Sequence, residues 1–259
     1  MAARECEANR LVSLTTYFNS EKLMSLFNGT RVTWLGHATV LVQLPNGTNL
    51  LIDPFIEHNP KYPKGYELPE KIDYVLLTHA HSDHTADAIP VARKYGSTIL
   101  AIVELAGYMA GKGVESTIGM NLGGTVQLPG VAVSMVDAKH SSSIEENGVS
   151  LYLGEAAGLI LSVEGGPVIY HAGDTAVFGD MSLIQDIYAP QIALLPIGGH
   201  YTMGPKEAAV AVHLLKPELV LPIHYGTFPP LKGTPQELAQ QLRHPELVGV
   251  WEPGQSFEG

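Results

Sequence analysis

The apolar run Ile72–Leu77 passes without a break into Thr78-His79-Ala80-His81-Ser82-Asp83-His84, and that junction limits what the chain can become. A run of this length and composition reads as a buried strand. Histidines two apart in the extended segment leaving it project to one side, so His79 and His81 aim together. Asp83-His84 then turns into a helix and brings two further donors toward the same point from another direction. Three imidazoles and a carboxylate packed this closely suit two adjacent divalent cations better than one. The bland alternative is that Ser82 or Asp83 caps a helix while the histidines face solvent, and it leaves this density of donors to chance.

Composition narrows the setting of such a site. The 259 residues are 45% apolar, enough for a sizeable core in one large domain or two small ones. Cys6 is the only cysteine, so histidines and carboxylates must hold any metal. The formal charge of −11, with no run of Lys or Arg, speaks against a nucleic-acid partner. Met1–Arg10 carries Glu5 and Glu7 and leads into no long apolar segment, so a secretory signal is not expected. No stretch reaches membrane-spanning length, and the cytoplasm is the expected location.

Along the chain, residues 1–30 read as a helical extension, with Leu11, Leu14, Phe18 and then Leu23, Leu26, Phe27 on one side of short helices and Ser20 as an N-cap. The rest, residues 31–259, reads as one domain of short strands with interspersed helices. Strands are expected at Val32–Leu35, Val40–Leu44, Leu50–Ile52, Ile72–Leu77, Thr98–Ile102, Val131–Val136, Val149–Leu153, Leu159–Val163, Val168–Tyr170, Ile192–Pro196, Leu219–Ile223 and Glu246–Trp251. Asn46-Gly47 marks a hairpin turn. Helices are expected at Asp83–Tyr95, Glu104–Ala110, Pro205–Leu215 and Pro235–Leu242, with Pro205 suited to a first turn. Further candidate donors follow strand ends: His140, Asp174 and His224.

The ordered set of donors resembles the metallo-β-lactamase superfamily. The resemblance runs from about Arg31 to the C-terminus. It is carried by Trp34-Leu35-Gly36-His37-Ala38-Thr39, Asp53-Pro54-Phe55, the Thr78–His84 string, His140-Ser141-Ser142-Ser143, Gly173-Asp174-Thr175 and Ile223-His224-Tyr225-Gly226-Thr227-Phe228. These strings are similar to a metal-dependent hydrolase branch near ascorbate-6-phosphate lactonase and N-acylphosphatidylethanolamine phospholipase D. The resemblance implies an α/β fold, an αββα four-layer sandwich of two mixed β-sheets flanked by helices. It also implies that His79, His81 and His140 hold one metal ion, that Asp83, His84 and His224 hold a second, and that Asp174 bridges them. Asp53 is implied as a carboxylate that steadies the His79–His84 loop.

Other residues stay open between two roles. His37 either hydrogen-bonds substrate or leaving group or is a packed core histidine, and Tyr225 either offers its phenol to substrate or packs in the core. His200, in Gly198–Gly204, is expected beside the pocket, whereas His58, His171, His213 and His244 match no ligand position.

The implied reaction is hydrolysis. Two divalent ions would share a water whose pKa falls toward neutrality, and Asp83 would orient the resulting bridging hydroxide. Zinc is the first choice of metal from the ligand types, with manganese, iron and nickel left open. No Gly-x-Ser-x-Gly elbow offers a competing nucleophile. The expected partner is a small, polar, anionic ester or lactone, with contacts from Lys139, Ser141–Ser143 and His200. A phosphodiesterase or phospholipase D-like hydrolase is the alternative, and a non-catalytic metal-binding module is the answer of a different class. Assembly into a homo-oligomer is left open.

Overall fold

Strands covered on both faces are apolar without alternation. Ile192-Ala193-Leu194-Leu195-Pro196 and Leu219–Ile223 have that character, and both are fully buried. The computed structural model describes residues 20–259; the positions of Cys6, Leu11, Leu14 and Phe18 lie outside them. The chain forms two mixed sheets. The first joins β1 (Arg31–Trp34), β2 (Val40–Gln43), β3 (Asn49–Ile52), β4 (Tyr74–Leu76), β5 (Thr98–Ile102), β6 (Thr117–Met120) and the closing β15 (Ser256–Glu258), in the order β15-β1-β2-β3-β4-β5-β6. The second joins β7 (Thr125–Leu128), β8 (Val131–Asp137), β11 (Ala157–Val163), β12 (Val168–His171), β13 (Ile192–Pro196) and β14 (Leu219–Ile223), in the order β14-β13-β12-β11-β8-β7. A separate hairpin pairs β9 (Ser143–Glu146) with β10 (Val149–Tyr152).

Side chains divide by face, as the two-residue period of a strand requires. Ile192 and Leu194 of β13, with Val131, Val133, Leu159 and Leu161, enter a core shared with Val32, Trp34, Leu50 and Val75 of the first sheet. Ala193 and Leu195, with Ile160 and Tyr170, point the other way, onto Met181, Ala208, Ala211 and Leu238. Those partners belong to α5 (Met181–Tyr188), α6 (Pro205–Leu215) and α7 (Pro235–Gln241). On the outer face of the first sheet, α3 (Ala88–Tyr95) and α4 (Val103–Gly111) bury Val91, Ala92, Leu105 and Met109. The layers are therefore helix, sheet, sheet, helix: the expected αββα sandwich. An N-terminal helix, α1 (Ser20–Phe27), lays Phe27 on Phe257 of β15, with ring centroids 6.0 Å apart. Among the described residues no helix is long and apolar enough to cross a membrane.

Four expectations need correction. The helix expected over Asp83–Tyr95 is two helices, α2 (Ser82–Thr85) and α3, broken at Asp87. The Asp87 carboxylate accepts the amides of Ile56 and Glu57, and its own amide donates to Pro54 O, so this residue serves a neighbouring loop instead of a continuous helix. The strand expected at Glu246–Trp251 is a 3-10 turn over Pro245–Leu247 followed by irregular chain, touching the second sheet through the single bridge Val220–Val248. Trp251 leaves that path to bury its ring against Trp34 and donate to Pro222 O, and the strand that closes the first sheet comes later, as β15. The edge strands β6 and β7 were not expected, because each is only four residues long and β6 carries Gly119. Helix α5 was not expected either, because Leu183 and Ile187 are apolar on its exposed side and blur the helical period.

Candidate metal centre

The candidate donors gather at one end of the sandwich, where loops from the two sheets are joined by polar contacts. His224 N donates to His37 O, Ala157 N to Thr78 O, and the His171 ring to Ala38 O. Gly173 is required in this clasp: its φ is +60°, and a Cβ would lie 2.8 Å from both Ala157 O and Thr78 Cβ. His37 (φ +56°), Asp53 (φ +46°) and His224 (φ +54°) all have left-handed backbone. Such conformations cost about 1–3 kcal/mol each and concentrate where function demands an exact aim.

From the first sheet, β4 delivers His79 and His81, whose Nε2 and Nδ1 stand 3.0 Å apart, and α2 delivers Asp83 and His84. Asp53 organises this segment. Its Oδ1 accepts the Thr78 amide at 2.8 Å, and its Oδ2 accepts the Thr78 hydroxyl at 2.6 Å and His84 Nδ1 at 2.7 Å. With the Thr78 hydroxyl donating to Asp53, its oxygen is left to accept the Nδ1 proton of His79 at 3.0 Å. One carboxylate thus sets the tautomer of two imidazoles and turns the Nε2 lone pair of each inward.

From the second sheet come His140 after β8, Asp174 after β12 and His224 after β14. Asp174 lies between the two groups: its Oδ1 is 3.4 Å from His84 Nε2, and its Oδ2 is 3.1 Å from His224 Nε2 and 3.6 Å from His140 Nε2. Side-chain donors of His79, His81 and His140 lie within 4.8 Å of one another, and so do those of Asp83, His84, His224 and His37. In the second cluster, His37 Nε2 is occupied by Asp83 Oδ2 at 3.0 Å and its Nδ1 by the Thr227 hydroxyl at 3.0 Å, so it adds no free lone pair.

The donor set fits metal ions. His84 Nε2, Asp174 Oδ1 and both ring nitrogens of His224 are buried without a hydrogen-bond partner. Each such group left unmet costs about 1–3 kcal/mol, and three of them, His84 Nε2, Asp174 Oδ1 and His224 Nε2, belong to the same donor cluster. Protonation states agree at the three-histidine cluster and at the carboxylates but not at His84, where burial disfavours charge yet Asp174 and Asp53 outweigh it, so that a metal ion must displace a proton there. Burial, then the nearby His84, pushes His79 well below the usual imidazole range, and burial also lowers His81 and His140. Burial alone would raise the carboxyls of Asp83 and Asp174, but the surrounding histidines outweigh it and hold both low. Neutral imidazoles and ionised carboxylates are what divalent ions need.

The remaining residues fall into two groups. His37 is fully buried, and burial together with His224 lowers its pKa to about 4. It is therefore neutral, donating Nε2–H to Asp83 and accepting from Thr227. A cleft of about 440 Å³ opens over the donors, lined by His81, Ser82, Asp83, His140, Ser141, Asp174, Tyr201, His224, Phe228 and Pro230. The structure does not bring His200 or Tyr225 into it. His200 is exposed with its ring against Tyr201, and Tyr225 stacks on Trp34 at 5.1 Å with its hydroxyl 3.4 Å from Trp251 O. Lys139 pairs with Asp137 and lies over the Phe178 ring. Sequence reasoning missed Thr78, Thr227, Tyr201, Phe228 and Pro230. Thr78 and Thr227 stand within two and three residues of a donor, yet nothing in their spacing says that their hydroxyls turn inward.

Known proteins extend this reading. The Beta-lactamase superfamily domain matches residues 48–225. The UPF0173 metal-dependent hydrolase of Rubrobacter xylanophilus is 46% identical over 239 residues, covering 91% of this chain and 99% of that protein. That of Methanopyrus kandleri is 46% identical over 233 residues, covering 88% and 99%. Among solved structures, Igni18, a metallo hydrolase from Ignicoccus hospitalis, superposes with a TM-score of 0.77 at 38% identity, covering 89% of this chain and 99% of its own. An isothiocyanate hydrolase from Delia radicum gut bacteria, at 20% identity and a TM-score of 0.68 over 88% and 98%, shares the fold. The chain belongs to the metallo-β-lactamase superfamily, as a metal-dependent hydrolase of the UPF0173 family.

Proposed function

We propose that the chain hydrolyses a small ester or lactone at a centre of two divalent ions, with zinc the first choice. His79, His81 and His140 would hold one ion, Asp83, His84 and His224 the other, and the Asp174 carboxylate would lie between them. The observation that carries this reading is the set of buried, unpartnered donors on His84, Asp174 and His224 beside a complete three-histidine cluster. Two ions held there would supply a water of lowered pKa and a Lewis acid for the scissile carbonyl.

The protein's own part is orientation. Asp53 aims His84 directly and His79 through Thr78. His37 holds its proton on Nε2 against one oxygen of Asp83, which leaves the other oxygen for the cleft. Phe55 and Phe228 meet the His37 ring edge-on at 5.7 and 5.5 Å and keep water from it. His37 is thus a positioning residue for Asp83. Across the cleft mouth, Ser82 and Ser141 offer hydroxyls to the polar atoms of an ester.

The test is a screen of metal-loaded protein against lactones, carboxylic esters, thioesters, phosphomonoesters and phosphodiesters. Turnover of lactones or esters well above the others is expected. Turnover confined to phosphoesters would replace the proposal, and inactivity against all classes with metal fully bound would leave a binding module.

A further inference from the structure

Apart from the donors, the cleft has five lining residues, and they divide unevenly. Ser82 and Ser141 are polar, whereas Tyr201, Phe228 and Pro230 present apolar surface to the cleft. Among the described residues no lysine or arginine lines the cleft. Lys139, the nearest cation in sequence to His140, is committed to Asp137.

Tyr201 has no packing reason for its position. It is 57% exposed, and its ring lies 4.4 Å from that of His200. Yet its loop is tightly built. Gly199 (φ +73°) and His200 (φ +61°) are left-handed, and Tyr201 N closes back onto Gly199 O at 2.7 Å. Met203 is buried and donates its amide to Thr175 O, beside Asp174. At the loop's other end, Gly198 passes so close to His224 that a Cβ there would lie 2.2 Å from His224 O. The loop is pinned to the chain beside two of the metal donors, and strained backbone of this kind is kept where a side chain must be held in place. An exposed aromatic ring fixed at the rim of a small-molecule cleft is a surface for stacking.

We infer that the group carried next to the scissile bond is neutral, flat and apolar, such as an aryl or short unsaturated acyl group, and that it packs against Tyr201 in the part of the cleft lined by Phe228 and Pro230. This rests on the hydrolase reading above and sharpens it: an anionic flank would find no cation in the wall. Tyr201 is then the residue that sets substrate preference, through its ring rather than its hydroxyl.

The test compares probes sharing one metal-binding head. Dissociation constants of benzohydroxamate and succinyl monohydroxamate for the metal-loaded protein are measured by calorimetry, for wild type, Tyr201→Phe and Tyr201→Ala. Benzohydroxamate should bind about tenfold tighter than the carboxylate-bearing probe, Tyr201→Phe should keep that preference, and Tyr201→Ala should lose most of it. Tighter binding of succinyl monohydroxamate by wild type, or an unchanged preference in Tyr201→Ala with metal content intact, would overturn the inference. Hydrolysis of dihydrocoumarin and of γ-butyrolactone by the same proteins is scored separately. No turnover of either, with the hydroxamate preference intact, would sink the ester and lactone reading while leaving the apolar wall standing.

Discussion

The donors supplied by the first sheet and those supplied by the second are held in different ways. On the first side, side chains do the aiming: Asp53 and Thr78 fix His84 and His79, Thr227 fixes His37, His37 fixes Asp83, and Ser141 reaches His81 at 3.3 Å. On the second side, His140 Nε2 stands 3.6 Å from Asp174 Oδ2, beyond hydrogen-bond reach, and Asp174 Oδ1 and both ring nitrogens of His224 are buried without a hydrogen-bond partner. Backbone contacts position these three instead. Lys139 N donates to Thr175 Oγ1, Ala176 N to Lys139 O, and His224 N to His37 O. One half of the centre is pre-aimed by side chains, and on the proposed reading the other half would be completed by the ions. A bound cation is then part of what holds the two sheets together at this end.

That asymmetry can be broken most severely at Asp174. Asp174→Asn removes the carboxylate that faces both groups, so metal retention and turnover should fall together by more than about 10²-fold. Elemental analysis beside kinetics checks it, and a variant that keeps both ions would move the bridging role elsewhere. Asp53→Asn attacks the pre-aimed half. It should weaken metal affinity by about 10–100-fold, and Thr78→Val should reproduce only the part that acts through His79. Competition titrations with a chelator separate the two, and equal effects would contradict the division of Asp53 between two imidazoles.

How much of this was legible beforehand follows the same division. The first-sheet donors are packed into the string His79–His84, where spacing alone forces convergence. His140, Asp174 and His224 are separated by long stretches, and only the resemblance of the whole ordered set brought them to one point. Their strands could be read from apolar runs, because both sheets bury both faces. The walls of the cleft could not. Tyr201 reaches it through a loop whose path depends on Gly198 and on Met203 bonding to Thr175, contacts that no local pattern encodes. His200 was expected beside the pocket, and its loop is there, but it is Tyr201 that lines the cleft, with the His200 ring exposed against it. Of the outlying hairpin only β10 was read, from Val149–Leu153; β9 was not, although Asn147 (φ +52°) and Gly148 (φ +75°) form the turn, because Ser143–Glu146 is short and polar.

Acidity sharpens the comparison with a smaller effect. Burial disfavours a charged His84, but Asp174 and Asp53 outweigh it and hold its pKa well above the usual imidazole value. In metal-free protein that charge supports the fold fully below the ordinary value, and the support is lost as pH rises through the raised one. A metal ion must displace the proton, so apparent affinity should rise by about tenfold per pH unit until His84 is neutral. Calorimetry in buffers of different ionisation enthalpy counts the proton released, and affinity independent of pH would contradict the linkage. The smallest effect is expected at Thr227→Val. Loss of one hydrogen bond to His37 should lower turnover by about 2–12-fold with metal content unchanged, whereas loss of metal would make Thr227 part of the centre's frame.

The central claim is that the pre-aimed and waiting halves together hold two ions. The direct measurement is metal content per chain in protein purified without chelator, for wild type, His140→Ala and His224→Ala, alongside turnover. About two ions in wild type are expected, with each variant losing one of them preferentially. Saturation of the wild type at a single ion with full activity would contradict it.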